Sequence, residues 1–286
     1  MATPDRPDSG SSIDRVAVPV DTRAPDGTTN AYLAQGLLVD PAARVDAFDA
    51  IVGVDKSGAA GQTVTAVDAI AVTHTHPDHV GGVAEYADAT GAPVFAHADH
   101  LGRFADTTGV EPDGTFEGGE TVGNTDVRAV ETPGHAPDHV AFAVSERREG
   151  GGHARALLCG DLAVAEGSVV VGAPEGDLRG YLGSLRRVRD ADYDRLYPGH
   201  GPAIDDPAVA CDRLLDHRLD RERSVLAAVE AGASDVDAVV DTAYNKDLTG
   251  VADLARATVV AHLEKLRAEG RLGGEWADRL ARERDR

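Results

Sequence analysis

The sequence predicts a layered α/β fold followed by a helical tail, and three observations predict it. Short apolar runs of strand length alternate with helical patterns between residues 14 and 207. Several of those runs end on a glycine beside a histidine or an aspartate. From Pro207 onward the apolar residues fall at helical spacing instead, as in Cys211, Leu214, Leu215, Leu219, Leu226 and Val229.

Taken in order, residues 1–13 are rich in Pro, Asp and Ser and read as a flexible N-terminal arm. Arg15 to Val20 and Asn30 to Val39 read as strands around the turn residues Pro25-Asp26-Gly27. The second strand ends at a carboxylate, in Val39-Asp40-Pro41. Residues 42–55 fit neither pattern cleanly. Val67 to Thr73 is a buried strand, Gly82 to Thr90 a helix stopped by Gly91, and Pro93 to Ala96 a strand. Further strands are expected at Val127 to Thr132, His139 to Val144, Ala156 to Cys159 and Asp194 to Tyr197. Leu178, Leu182, Leu185 and Val188 put a helix over 177–189.

In the tail, Pro207 opens a helix running to about Ala231, with proline at a first-turn position. Ser234 caps a second over 235–242, and a third runs from Gly250 to Glu269, stopped by Gly270. Three helices and then Arg271-Leu272-Gly273-Gly274 resemble a winged-helix module with a degenerate wing. The domains expected are thus a hydrolase-like domain over 14–207 and a winged-helix-like domain over 208–286.

Composition bounds the class. The formal net charge is −21, and Lys56, Lys246 and Lys265 are the only lysines. Acidic, lysine-poor surfaces resemble those of proteins from cells with a very salty cytoplasm, where salt screens the self-repulsion. Disorder is excluded by the long periodic apolar segments. A polar start without an apolar core, and no run near the roughly 20 residues a bilayer requires, predict a cytoplasmic protein with no membrane partner. Cys159 and Cys211 lack metal-pair spacing and read as small buried apolar residues. The charge is uneven: residues 1–207 carry 15 basic against 33 acidic side chains (−18), residues 208–286 carry 13 against 16 (−3).

The chemistry concentrates in His74-Thr75-His76-Pro77-Asp78-His79. In an extended segment His74 and His76 share a face, and Pro77 turns the chain so that Asp78 and His79 follow. Three imidazoles and a carboxylate so close together suit one or two borderline metals, zinc first. Three later sites each follow a strand: Pro133-Gly134-His135, Cys159-Gly160-Asp161 and Pro198-Gly199-His200. Ligands in α/β proteins gather at such ends, and the glycines let backbone close tightly around a cluster. Alone, each later site reads as a capping or surface residue.

Together, in this order, the motifs resemble the metallo-β-lactamase superfamily across residues 30–201. That resemblance implies an αββα sandwich and a site for two zinc ions. One zinc would be held by His74, His76 and His135, the other by Asp78, His79 and His200, with Asp161 bridging. It implies a water acidified by both metals as nucleophile on an ester, thioester, amide or phosphodiester, oriented by Asp78 as catalytic residue. His139 reads as a proton donor to the leaving group, as a support of the metal site or, the favoured reading, as a hydrogen-bonded structural histidine. His97, His100 and His153 read as surface residues.

The stretch Gly176 to Leu185, with His217-Arg218 and Arg221-Glu222, resembles the lactamase-beta-2-like branch, whose animal members cut single-stranded RNA. That leaves RNA as one expected substrate. A thioester hydrolase similar to hydroxyacylglutathione hydrolase (glyoxalase II) is the alternative, and a metal-stabilised nucleic-acid-binding protein without catalysis a third. A β-lactam hydrolase is disfavoured by the missing export signal. Arg218 and Arg221, three apart on one helix, suit a pair of phosphate contacts. They suit equally a solvated surface where they pair with Asp216, Asp220 and Glu222.

Overall fold

The computed structural model describes residues 13–54, 66–147, 151–245 and 247–284. The expected arm lies outside these residues except for Ile13, which begins the first strand. The described chain forms two compact units. The first comprises residues up to 131, 138–167 and 191–207; the second comprises 132–137, 168–190 and the tail from 208.

The first unit holds two four-stranded sheets. In one, β1 (Ile13–Pro19), β2 (Thr28–Ala34) and β3 (Leu37–Val39) are antiparallel, and β4 (Ala69–Ala71) joins β3 in parallel. The expected single strand 30–39 is broken into β2 and β3 by a tight turn at Gln35 (φ 50°) and Gly36 (φ 82°). Two successive left-handed residues match the twist of a hairpin. Glycine suits position 36 because its φ of 82° is one that L side chains rarely adopt. In the second sheet β7 (Arg128–Glu131), β8 (Val140–Arg147) and β9 (His153–Gly160) are antiparallel, and β10 (Arg195–Pro198) runs parallel to β9. A short parallel pair, β5 (Phe95–His97) and β6 (Gly114–Phe116), stands apart.

Period two explains the layering. Tyr32, Ala34, Leu37, Val39, Ala69 and Ala71 face one core, shared with Val140, Phe142, Leu158 and Tyr197 of the second sheet. Their neighbours Ala31, Leu33, Leu38 and Ile70 face another core, closed by helices. Those helices are α1 (Asp46–Val52), α2 (Pro77–Val80), α3 (Val83–Thr90) and α4 (Leu101–Thr108). Phe48, Val83, Tyr86 and Phe104 supply their buried faces. A strand apolar on both sides needs a sheet on one side and helices on the other, which is the α/β arrangement the sequence predicts.

The second unit is helical: α5 (Leu178–Arg189), α6 (Pro207–Glu230), α7 (Val236–Ala243), α8 (Ala252–Ala268) and α9 (Glu275–Arg284). Val225, Val239, Val259, Leu263, Leu266 and Trp276 form its core. The segment around 173, read on sequence as part of the front domain, belongs here: Ala173 N donates to Ala257 O (3.1 Å) at α8. Asp235 rather than Ser234 caps α7, accepting from Ala238 N (2.9 Å), while the Ser234 hydroxyl donates to Asp235. Residues 271–274 lead into α9, and no strand follows β10 among the described residues, so the expected wing has no strand pair there. Nor is any helix among them long and apolar enough to cross a membrane.

The arginine pair offered for phosphate is occupied. Arg218 is 3% exposed and donates to Val169 O. Arg221 donates to Ala243 O (2.5 Å) and lies 3.7 Å over the Tyr244 ring. Arg223 pairs with Asp220 at the surface. Arg218 therefore ties α6 to the loop at 169 and Arg221 ties α6 to α7, through carbonyls and a ring rather than through the acidic neighbours expected.

Candidate metal centre

Strand direction builds the site. β3 and β4 are parallel, so Asp40, just past β3, and Thr73-His74, just past β4, emerge side by side. β9 and β10 are parallel, so Asp161 and His200 emerge together. β8 is antiparallel to β9 and begins just after His139, at that same end. His74, His76, Asp78, His79, Asp161 and His200 all belong to the first unit.

Hydrogen bonds fix which ring nitrogen faces inward. Thr73 Oγ1 donates its one proton to Asp40 Oδ2 (2.8 Å), so in its 3.0 Å contact with His74 Nδ1 the ring donates. His79 Nδ1 donates to Asp40 Oδ2 (3.0 Å), and His200 Nδ1 to Thr28 O (2.8 Å). In the second unit His135 Nδ1 donates to Val170 O (2.8 Å). Each Nδ1 so engaged turns the Nε2 of its ring the other way, the arrangement metal-binding histidines take from their outer partners.

The donor atoms of the first unit converge. His74 Nε2 is 2.9 Å from His76 Nδ1. His79 Nε2 lies 3.7 Å from Asp161 Oδ1, and His200 Nε2 lies 3.5 Å from Asp161 Oδ2 and 3.6 Å from Asp78 Oδ2. The donor atoms of His74, His79 and Asp161 lie within 4.8 Å of one another, as do those of Asp78, His79 and His200. His79 is fully buried, yet its Nε2 has no hydrogen-bond partner. A buried acceptor left unmet costs free energy, and a cation among these nitrogens and carboxylates would meet it. The residues therefore fit a metal, with the nitrogen and oxygen donors that zinc accepts.

Electrostatics agree. Burial opposes a charge on His79, but Asp40 and then Asp161 and Asp78 outweigh it and raise its pKa. Burial likewise opposes charging of His200, and Asp161, the Thr28 carbonyl and Asp78 lift it to about 9. A site that draws protons onto buried imidazoles is a site of negative potential, and a metal must displace those protons to bind. Close approach also needs glycine: a Cβ on Gly199 would come within 2.7 Å of both Asp161 Oδ1 and His79 Cε1.

The structure thus brings together the first-unit residues singled out on sequence, while His135 stands in the second unit, four positions before His139. His139 is 1% exposed, and its Nε2 accepts the Asp161 backbone N–H (3.1 Å), which is the hydrogen-bonded structural role expected of it. His97 bonds Glu131 (2.9 Å), His100 lies beside it, and the exposed His153 bonds Ser145 (3.0 Å). Two supports went unread. Asp40 orders both Thr73 and His79. Asn30 Nδ2 donates to Pro198 O (2.9 Å) and Gly201 O (2.8 Å), pinning the turn that carries His200. The carboxylate ending a strand in Val39-Asp40-Pro41 was the available signal for the first.

Residues 24–200 match the family model described as the metallo-beta-lactamase superfamily. The chain is 32% identical over 168 residues to a beta-lactamase-like protein 2 homolog of Caenorhabditis elegans, covering 57% of this chain and 52% of that one. It is 36% identical over 159 residues to thioesterase pkgB of Emericella nidulans, covering 55% of this chain and 41% of that one. The matches thus span about half or less of these curated relatives' lengths. A metallo-beta-lactamase family protein from Thermus thermophilus superposes with a TM-score of 0.68 at 26% identity, over 92% of this chain and 95% of that one. Strand order, the clustered donors and these matches agree: the chain belongs to the metallo-β-lactamase superfamily of metal-dependent hydrolases.

Proposed function

We propose that the chain is a two-zinc thioester hydrolase. The observation that carries the metal reading is the buried strand-end cluster of imidazoles and carboxylates in which His79 Nδ1 is held by Asp40 while its buried Nε2 has no hydrogen-bond partner. In this reading His74, His76 and His135 hold one zinc, Asp78, His79 and His200 the other, and Asp161 bridges. Bound there, the ions would supply a water acidified to near neutral pH and neutralise charge growing on the substrate carbonyl. The chain's own residues do the rest. Asp40 holds Thr73 and His79 in place, and His139 holds Asp161 through its backbone. The Thr22 hydroxyl donates to Asp78 Oδ2 (2.5 Å), fixing the carboxylate read as orienting the nucleophile.

The thioester is favoured over single-stranded RNA on two grounds. A curated relative is named a thioesterase. The arginines offered for phosphate are engaged within the helical unit. Purified zinc-loaded protein assayed in high salt on an acyl-thioester and on an RNA oligomer tests the reading. Thioester turnover that stops with chelator supports it, and RNA cleavage without thioester turnover overturns it. Elemental analysis of protein purified without chelator should give two zinc per chain. We also read the −21 charge as a high-salt adaptation. Equal melting temperatures in about 0.1 M and 1 M KCl, where Debye lengths differ about threefold, would argue against that.

A further inference from the structure

Thr75 lies between His74 and His76, and its polar groups turn elsewhere. Its backbone N–H donates to Asp138 Oδ2 (2.9 Å), and its hydroxyl accepts from Arg103 Nε (2.7 Å). The same Arg103 Nε is 3.2 Å from Asp138 Oδ1. Arg103 stands on α4, next to the core residue Phe104. One guanidinium therefore meets both the loop that carries His74 and His76 and the loop that carries Asp138 and His139. The latter matters because His139 accepts the Asp161 N–H. Three sequence-distant segments are joined at this one point: 74–76, α4 and 138–139.

The setting strengthens the join. Thr75 is 3% exposed and Asp138 6%. Behind them Val72, Ala96, Phe104 and Val140 line a cavity of about 10 Å³, room for no more than one water. The two hydrogen bonds of Thr75, to a carboxylate and from a guanidinium, are charge-assisted, and Arg103 meets Asp138 Oδ1 as an ion pair rather than a hydrogen bond. A buried Asp138 carboxylate deprived of Arg103 would face the cost of an uncompensated charge. The loop would relieve that cost by moving, and His74 and His76 would move with Thr75.

From this geometry we infer that Arg103, acting through Thr75 and Asp138, is a positioning residue for the metal centre. It fixes the spacing between the His74–His76 backbone and the loop whose His139 steadies Asp161. The inference rests on the metal reading above, and the test separates the two.

Wild type, Arg103→Ala, Arg103→Lys and Thr75→Val are compared in two measurements: thermal melting of the metal-free chain, and zinc affinity by competition with a chromophoric chelator. Outer partners of ligands are worth about 10–100-fold in metal affinity. Arg103→Ala should lose affinity in that range while its metal-free melt stays near that of wild type. Arg103→Lys should recover part of the loss, since it restores a cation near Asp138 without the guanidinium fork. Thr75→Val, which removes one hydroxyl and keeps the shape, should fall in the same direction. It decides the matter if Arg103→Ala does not fold. Wild type that binds zinc, with variants that bind it equally well, overturns the positioning role and leaves the metal reading standing. Wild type that binds no zinc overturns the metal reading and the positioning role together.

Discussion

Two buried polar clusters, one in each unit, treat histidine in opposite ways. In the first unit His79 and His200 lie among Asp40, Asp78 and Asp161, and their pKa values rise. In the second unit His262 on α8 is fully buried with both ring nitrogens unpartnered, and its neighbours are cationic. Burial first, then Arg218, Arg221, Lys265 and His217, push it down to about 3. Close by, Glu222 closes its own circle, accepting from Lys265 (2.6 Å) and Arg271 (2.7 Å). The first cluster gathers imidazoles and carboxylates at a shared point of negative potential. The second gathers cations around its histidine. Burial of polar groups is thus no mark of function by itself; what separates the two is the sign of the charge around the rings.

Four measurements would break or sharpen that contrast. The largest effect belongs to Asp161→Ala, which removes the proposed bridge. Elemental analysis should find both zinc equivalents lost and turnover with them, and retention of a full complement would break the assignment. Next is Glu222→Ala, which leaves Lys265 and Arg271 without their shared partner. Breaking a buried pair costs about 3–5 kcal/mol, and Glu269, which also reaches Lys265 (2.9 Å), places the expectation near the lower end. Urea unfolding should register it, with zinc content unchanged.

Asp40→Asn comes third. It weakens the hold on Thr73 and His79, and zinc affinity should fall about 10–100-fold with little change in the helical unit. The smallest effect is in the pH response of His262. Its folded pKa lies below the unfolded value, so above about pH 6.5 the ring is neutral in both states. As pH falls below that, the unfolded chain takes the proton first, and stability drops until about pH 3. The limiting slope is about 1.4 kcal/mol per pH unit. His262→Leu should flatten the difference in urea midpoint between pH 7 and pH 5, and an unchanged difference would show that the ring finds a proton acceptor.

The residues of the 74–79 stretch were legible because their chemistry is crowded into one loop, where spacing alone puts side chains together. Asp161 and His200, which join the cluster of the first unit, each stand at a glycine past a strand, and that was the readable signal. For Asp40 the carboxylate at a strand end was legible, but its partners were not. Its partners Thr73 and His79 are 33 and 39 residues away, and only the parallel pairing of β3 with β4 makes them neighbours. The turn at Gln35-Gly36 escaped because glutamine is an uncommon residue for a left-handed position. Arg218 and Arg221 show the limit from the other side. Helical spacing says that they share a face, but not whether that face meets water. Val169 and Ala243, 49 and 22 residues distant, answered that.

The turn that carries His200 is stitched to β2 by Asn30 and by Tyr32, whose hydroxyl donates to Pro198 O (2.6 Å). Asn30 also gives its backbone N–H to Gly199 O (2.7 Å). Tyr32 is at the same time a member of the core between the sheets. Fluctuations confined to the loop therefore meet a lattice of bonds anchored in the interior. The Asn30 amide should exchange its hydrogen with solvent only as slowly as the sandwich itself opens. The backbone beneath His200 should then keep its place for as long as the sheets stay paired, so that the position of this one side chain is a property of the interior rather than of its loop.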